Sequence, residues 1–120
     1  MKIGLFAQKV KLSTHTLRYY EKRGLIKVDR GQSGQRSYDE NDLAWVQFIQ
    51  RLKDTGMHLK DIQKYADLRY QGDGSLKERL EMLQKHRSFV QEQIKNWQMS
   101  LKKLDNKIEW YQAEIRNLPK

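Results

Sequence analysis

The chain has 120 residues, 38% of them hydrophobic, enough for one compact domain with an appendage but too few to fill two independent cores. Its 24 lysines and arginines against 15 acidic residues leave a formal charge of +9, which favours an anionic partner, nucleic acid or an acidic membrane surface. With no cysteine, disulfides, thiolate metal sites and cysteine nucleophiles are excluded together. No apolar run approaches the roughly 20 residues needed to span a bilayer, and Met1 to Val10 lacks the apolar stretch of a signal peptide. The expected location is the cytoplasm, with no membrane partner.

Charge is concentrated early. Residues 1 to 38 hold nine basic residues against Glu21 and Asp29, so the binding face belongs near the N-terminus. Ile3, Phe6, Ala7 and Val10 recur at helical spacing and predict a short amphipathic helix. After a turn at Leu12, Ser13 is a good N-cap for a second helix that runs through Leu17 and Tyr20 to a left-handed stop at Gly24. Two short helices across a tight turn make a helix-turn-helix candidate. The second helix offers Thr14, His15, Arg18, Tyr19 and Lys22 outward while Leu17 turns in. Arginine can pair bidentately with a guanine edge, and hydroxyls and lysines reach phosphates, although a solvated cationic face would read the same way in isolation.

From residue 27 to 38 the helical period disappears, and Gly31 and Gly34 bracket a polar turn, as in a small β-hairpin. There Arg30, Arg36 and Tyr38 can grip a backbone or enter a minor groove. A plain loop accounts for the glycines but not for these residues gathering beside a basic helix. Asp39 then caps a third helix in which Leu43, Trp45, Val46, Phe48, Ile49 and Leu52 form a broad apolar face ending at Gly56. Leu59, Ile62, Tyr65 and Ala66 predict a fourth helix that dissolves in QGDG at 71 to 74.

Ser75 and Glu78 have capping-box spacing and predict the start of a long helix. Beyond it, Leu76, Leu80, Leu83, Val90, Ile94, Trp97, Leu101, Leu104, Ile108, Tyr111, Ile115 and Leu118 alternate by three and four, interrupted only by Arg87. This is a heptad seam. At ~1.5 Å per residue the helix would reach roughly 65 Å, more than the head can cover, so a second copy of the chain is the expected partner. Leu83, Val90, Ile94, Trp97, Leu101, Leu104, Ile108 and Tyr111 are the candidate dimerisation residues. Glutamines at many flanking positions leave helix direction open. The expected organisation is a mainly α chain: a winged helix-turn-helix head over residues 1–74 and a coiled-coil helix over 75–120.

The segments IGLFAQKVKLSTHTLRYYEKRGLI and DRGQSGQRSYDENDLAWVQFIQRLKDTGMHLKDI resemble the N-terminal domain of the MerR family of transcription regulators over about 70 of the 120 residues. TLRYYE, with Arg36 and Tyr38 in the wing, is a specific combination. The resemblance implies a winged helix-turn-helix whose second helix enters the major groove, and an antiparallel coiled coil between two chains. It implies that Arg18 and Tyr19 reach bases or sugars, that Tyr20, Arg36 and Tyr38 contact or brace the backbone, and that Lys60 approaches phosphate. Gln35 stands where many members carry an aromatic, and His58 where Ser or Thr often caps the fourth helix.

The head is most similar to the aldehyde and electrophile-stress subgroup, through NDLAWVQFIQRLKDTG. Thiol-sensing members carry a cysteine near Arg51, which this chain lacks. The expected function is sequence-specific regulation, as a homodimer on a palindromic promoter site, with RNA polymerase served indirectly by distortion of the promoter spacer. The alternative is an architectural or excision-type DNA binder. No convergent acid, base or nucleophile set points to an enzyme, and His15, His58 and His86 have no metal-ligand spacing, so neither metal nor cofactor is expected. A small-molecule effector is possible but unidentified. Trp45, Phe48, Tyr65, Tyr70 and Trp97 could line its site, but aromatics at helical spacing more often form core.

Overall fold

The computed structural model describes residues 1–31 and 34–120; Gln32 and Ser33, the middle of the expected hairpin turn, lie outside them. Helices α1 (Ile3–Val10), α2 (Thr14–Lys22), α3 (Glu40–Asp54), α4 (Leu59–Gln71) and α5 (Leu76–Arg116) follow in chain order. Strands β1 (Asp29–Arg30) and β2 (Arg36–Ser37) form an antiparallel hairpin between α2 and α3, with Arg30 opposite Arg36. The mainly helical class with a small wing is therefore the observed one.

Local chemistry sets the boundaries. Lys11, at φ 59°, is left-handed and ends α1. Ser13 accepts from the Thr16 amide at 3.0 Å and opens α2. Gly24, at φ +77°, closes α2: the Leu25 amide reaches back to Tyr20 O at 2.9 Å, a geometry glycine adopts without Cβ strain. Asp39 opens α3 with a reciprocal capping box. Its carboxylate accepts from the Asp42 amide and Asp42 accepts from the Asp39 amide, both at 2.9 Å.

One compact unit spans Met1–Leu83 and a second spans Gln84–Lys120. In the first, Phe6, Leu17, Tyr20, Leu25, Val46, Ile49 and Ile62 are fully buried where α1, α2, α3 and α4 meet. Truncating such a residue, Phe6→Ala for example, costs about 3–5 kcal/mol. Met82 and Leu83 on the first turns of α5 pack against this same core. Leu83, counted above with the seam, thus also serves the head.

The start of α5 corrects one expectation. Ser75 makes no capping box with Glu78; it sits buried in a 3₁₀ turn, Asp73–Ser75. Its hydroxyl donates to Leu68 O and Gly72 O, and Arg79 Nε donates to it at 3.0 Å. The hydroxyl goes to the orphan carbonyls at the end of α4 because the chain turns too tightly at Gly72 to leave them solvated. The seam is also shorter than expected. Helix α5 ends at Arg116, so Leu118 falls in the tail just before Pro119. In the second unit Ile94, Trp97, Leu101, Leu104, Ile108 and Tyr111 are all exposed, Trp97 by 74%.

Candidate DNA interface

Helix α2 is amphipathic, and its register divides the labour. Leu17 and Tyr20 are buried, whereas His15, Arg18, Tyr19 and Lys22 are exposed and Thr14 is half-buried. Tyr19 is 44% exposed, and the guanidinium of Arg23 lies 5.9 Å from its ring centroid. The face that reads outward is thus cationic and aromatic, able to donate to base edges and phosphate oxygens.

Several side chains hold this helix in place. Gln63 Nε2 donates to Arg23 O at 3.0 Å, tying α4 to the end of α2. Trp45 Nε1 donates to Leu25 O at 2.9 Å from within the core, and Gln50 Nε2 donates to Val10 O at 3.0 Å. The Lys27 amide donates to Tyr70 Oη at 2.9 Å. Lys60 is exposed on α4 one helical turn before Gln63, on the side that reaches the end of α2.

The wing is attached by charge. Glu21 Oε1 accepts from Arg30 Nη2 at 2.6 Å, and Glu21 Oε2 accepts from Arg36 Nε at 2.9 Å. Arg30 Nη1 also donates to Gly34 O at 3.2 Å across the turn. One carboxylate on α2 therefore gathers both wing arginines, leaving each guanidinium with further donors for an anion. Sequence reasoning missed Glu21. Its signal was being the sole acidic residue in a basic helix, next to a basic hairpin.

The two wing and helix tyrosines are internal. Tyr20 is 2% exposed, and Lys53 Nζ donates to its hydroxyl at 3.3 Å. Tyr38, also 2% exposed, stacks on Phe6 with ring centroids 4.2 Å apart. The Tyr38 amide donates to Met1 O at 2.8 Å and the amino group of Met1 donates to Tyr38 O. The Tyr38 hydroxyl is buried without a partner among the described residues, and burial raises its pKa. Tyr20 and Tyr38 thus pack inside, behind α2 and the wing, while Arg18, Tyr19, Lys22, Arg30 and Lys60 are exposed and Arg36 is half-buried.

Of the five aromatics, Trp45 and Tyr65 are core with Phe48 packed against them, as the helical spacing suggested, whereas Tyr70 is half-buried and Trp97 is exposed in the second unit. Trp45 and Tyr65 are buried with ring centroids 5.7 Å apart, Phe48 lies 5.8 Å from Tyr65, and Arg69 caps Trp45 at 4.5 Å. A concavity of about 530 Å³ opens instead against α1 and α3, lined by Lys9, Lys11, Gln50, Arg51 and Lys53 among others. Its lining is mixed, four cations beside Asp54 with Val10, Leu12 and Tyr20 among them. Among the described residues no three His, Asp or Glu side chains form a metal-binding group, and no helix is long and apolar enough to cross a membrane.

A tight helix pair, an outward basic second helix and a charge-anchored hairpin define a winged helix-turn-helix DNA-binding module. Residues 1–68 match the MerR HTH family regulatory protein description and residues 43–107 match the MerR DNA-binding description. The chain belongs to the MerR family of DNA-binding transcriptional regulators. It is 38% identical over 107 residues to an uncharacterized HTH-type transcriptional regulator of Haemophilus influenzae, covering 88% of this chain and 79% of that protein. It is 38% identical over 84 residues to the regulator AdhR of Bacillus subtilis, covering 69% of this chain and 60% of that one. Among solved structures, HiNmlR, a MerR family regulator lacking the sensor domain and bound to promoter DNA, superposes with a TM-score of 0.86 at 35% identity, covering 97% of this chain and 93% of that one. A putative MerR family regulator from Listeria monocytogenes gives 0.90 at 32% identity, covering 96% and 88%. These relatives are transcriptional regulators, a non-enzymatic family.

Proposed function

We propose that this regulator acts in the cytoplasm as a homodimer on a palindromic promoter element, each head reading one half-site, and activates transcription by distorting the promoter spacer. RNA polymerase is then served through the DNA and not by direct contact. The observation that carries the reading is the joining of the outward face of α2 to the wing through Glu21, which presents one continuous basic surface. Arg18 and Tyr19 address bases and sugars. Thr14, His15, Lys22, Arg30, Arg36 and Lys60 address the phosphate backbone, and Tyr20 and Tyr38 hold both elements in register. The exposed seam of the second unit supplies the dimer contact, and residues 1–74 and 75–120 divide reading from pairing.

The likeness to AdhR and the pattern of α3 support a role in the aldehyde or electrophile response. A cysteine-free chain cannot sense an electrophile through a thiolate, so a signal acts through non-covalent ligand binding, through protein partners, or not at all. Light scattering on the full chain and footprinting on promoter fragments test the proposal together. A dimer protecting a symmetric site between promoter elements is expected. A monomer at micromolar concentration, or irregular protected arrays, would overturn it in favour of an architectural binder.

A further inference from the structure

Arg87 is the one interruption of the seam on α5, and it is exposed with no ion-pair partner among the described residues. Taking the homodimer reading above as its premise, we propose that Arg87 is a register lock: it packs against the ring of the partner subunit's Tyr111 in an antiparallel pairing of the two α5 helices.

The argument begins with direction. In a parallel, in-register pair each seam residue faces its own copy, so two Arg87 guanidiniums would meet in the seam with no carboxylate between them. Like charges held in a desolvated layer are strongly unfavourable, and an antiparallel pair separates them. Registers then differ by whole heptads. With Trp97 opposite the partner subunit's Leu101, Arg87 falls opposite Tyr111, and the intervening layers, Val90 on Ile108 and Ile94 on Leu104, are apolar throughout. Guanidinium over a phenol ring is a favourable contact in a partly dry seam. Lys107 Nζ lies 4.8 Å from the Trp110 ring centroid and 5.7 Å from that of Tyr111, so a cation already meets aromatic rings at this level of α5. At the flanks this register sets Glu114 beside the partner's His86, and Lys107 beside Gln93, with no like-charge pair.

The neighbouring registers are worse. One heptad toward the N-terminus buries Arg87 on the partner's Leu104 and lays Lys107 beside His86. Two heptads restore an aromatic, Trp97, but put Lys107 beside Arg79 and leave Tyr111 and Ile115 beyond the partner's seam. A shift the other way sends Arg87 to Leu118, past the end of α5. The two-fold axis therefore passes between the flanking residues Gln98 and Ser100 of both copies.

Because the chain has no cysteine, single introduced thiols report register without background. The full chain carrying Ser100→Cys should cross-link to dimer with a short bismaleimide. Gln93→Cys and Lys107→Cys should each fail alone and cross-link when the two chains are mixed. Cross-linking of all three singly would establish a parallel pair and overturn the proposal. Gln93→Cys reacting alone, or only when mixed with Ser100→Cys, would place the helices in one of the rejected registers. Adding Arg87→Leu should spread cross-linking over several of these combinations, and Tyr111→Leu should do the same. An unchanged pattern in both would leave the antiparallel register standing and remove Arg87 as its lock. A full chain that is monomeric by light scattering would fail the dimer reading itself, a result distinct from all of these.

Discussion

Glu21 and Arg30 meet at 2.6 Å across the connection from α2 to the wing, and the other oxygen of the same carboxylate holds Arg36. The recognition helix and the wing are thereby one charged unit, and its centre is an acidic residue inside a surface that must bind an anion.

Glu21→Ala therefore separates shape from charge. The pairs are partly exposed, so folding stability should fall by no more than about 1 kcal/mol. Affinity for the operator should drop about tenfold as the wing loses its anchor, while affinity for random DNA holds or rises with the extra net positive charge. Titrations on both DNAs check this. Parallel gains on both would show that Glu21 restrains binding instead of shaping it.

Tyr38 gives a prediction in pH. Burial raises its pKa above the ordinary 10.0, with Arg36 pulling the other way. In the unfolded chain the phenol ionises near pH 10 while in the folded chain it stays protonated. Its contribution is thus complete below that pH and fades as pH rises toward the folded value. Tyr38→Phe removes a buried hydroxyl that has no partner among the described residues. Stability at neutral pH should be unchanged or higher by up to about 1 kcal/mol. Urea melts at pH 8 and about pH 10.5 should show a smaller alkaline loss in the variant than in the parent. A large loss at neutral pH would mean that the hydroxyl is satisfied in solution.

The capping box of α3 makes a paired test. Asp39→Ala removes the acceptor for the Asp42 amide and should cost about 1 kcal/mol, several degrees of Tm. Asp42 is different: burial chiefly, and the charge of Asp39, hold its carboxyl above the usual range, although the Asp39 amide favours the ionised form. A raised carboxyl pKa means that its protonated form is the better tolerated, so its stabilising share is present in acid and shrinks as pH rises through the carboxylate range. Asp42→Asn keeps an acceptor without the charge and should cost less than Asp39→Ala at pH 7. Thermal melts of both variants settle the order.

Arg18 and Lys60 should separate base reading from backbone holding. Arg18→Ala is expected to lose about 1–3 kcal/mol of discrimination between operator and random DNA. Lys60→Ala should weaken both equally and lower the salt slope by about one. Equal losses on both DNAs for Arg18→Ala would reassign that residue to phosphate.

Local patterns along the chain decided much of this molecule. The stops at Gly24 and Gly56, the caps at Ser13 and Asp39, the apolar face of α3 and the outward residues of α2 follow from interactions within a few residues, so spacing alone exposes them. The heptad alternation is equally local, because a helix carries its period wherever it goes. Tertiary structure decided what depends on residues far apart. Tyr20 shares the inward face of Leu17 by spacing, but Tyr38 lies inside because Phe6 covers it, which no pattern within RSY contains. Ser75 has the spacing of a capping box, yet its hydroxyl goes to the carbonyls ending α4, since a buried acceptor without a partner costs more than an uncapped amide in water. The role of Glu21 likewise arises only when the hairpin folds back on α2. A charge has no period in the sequence, and its partner is whichever opposite charge the fold brings within reach.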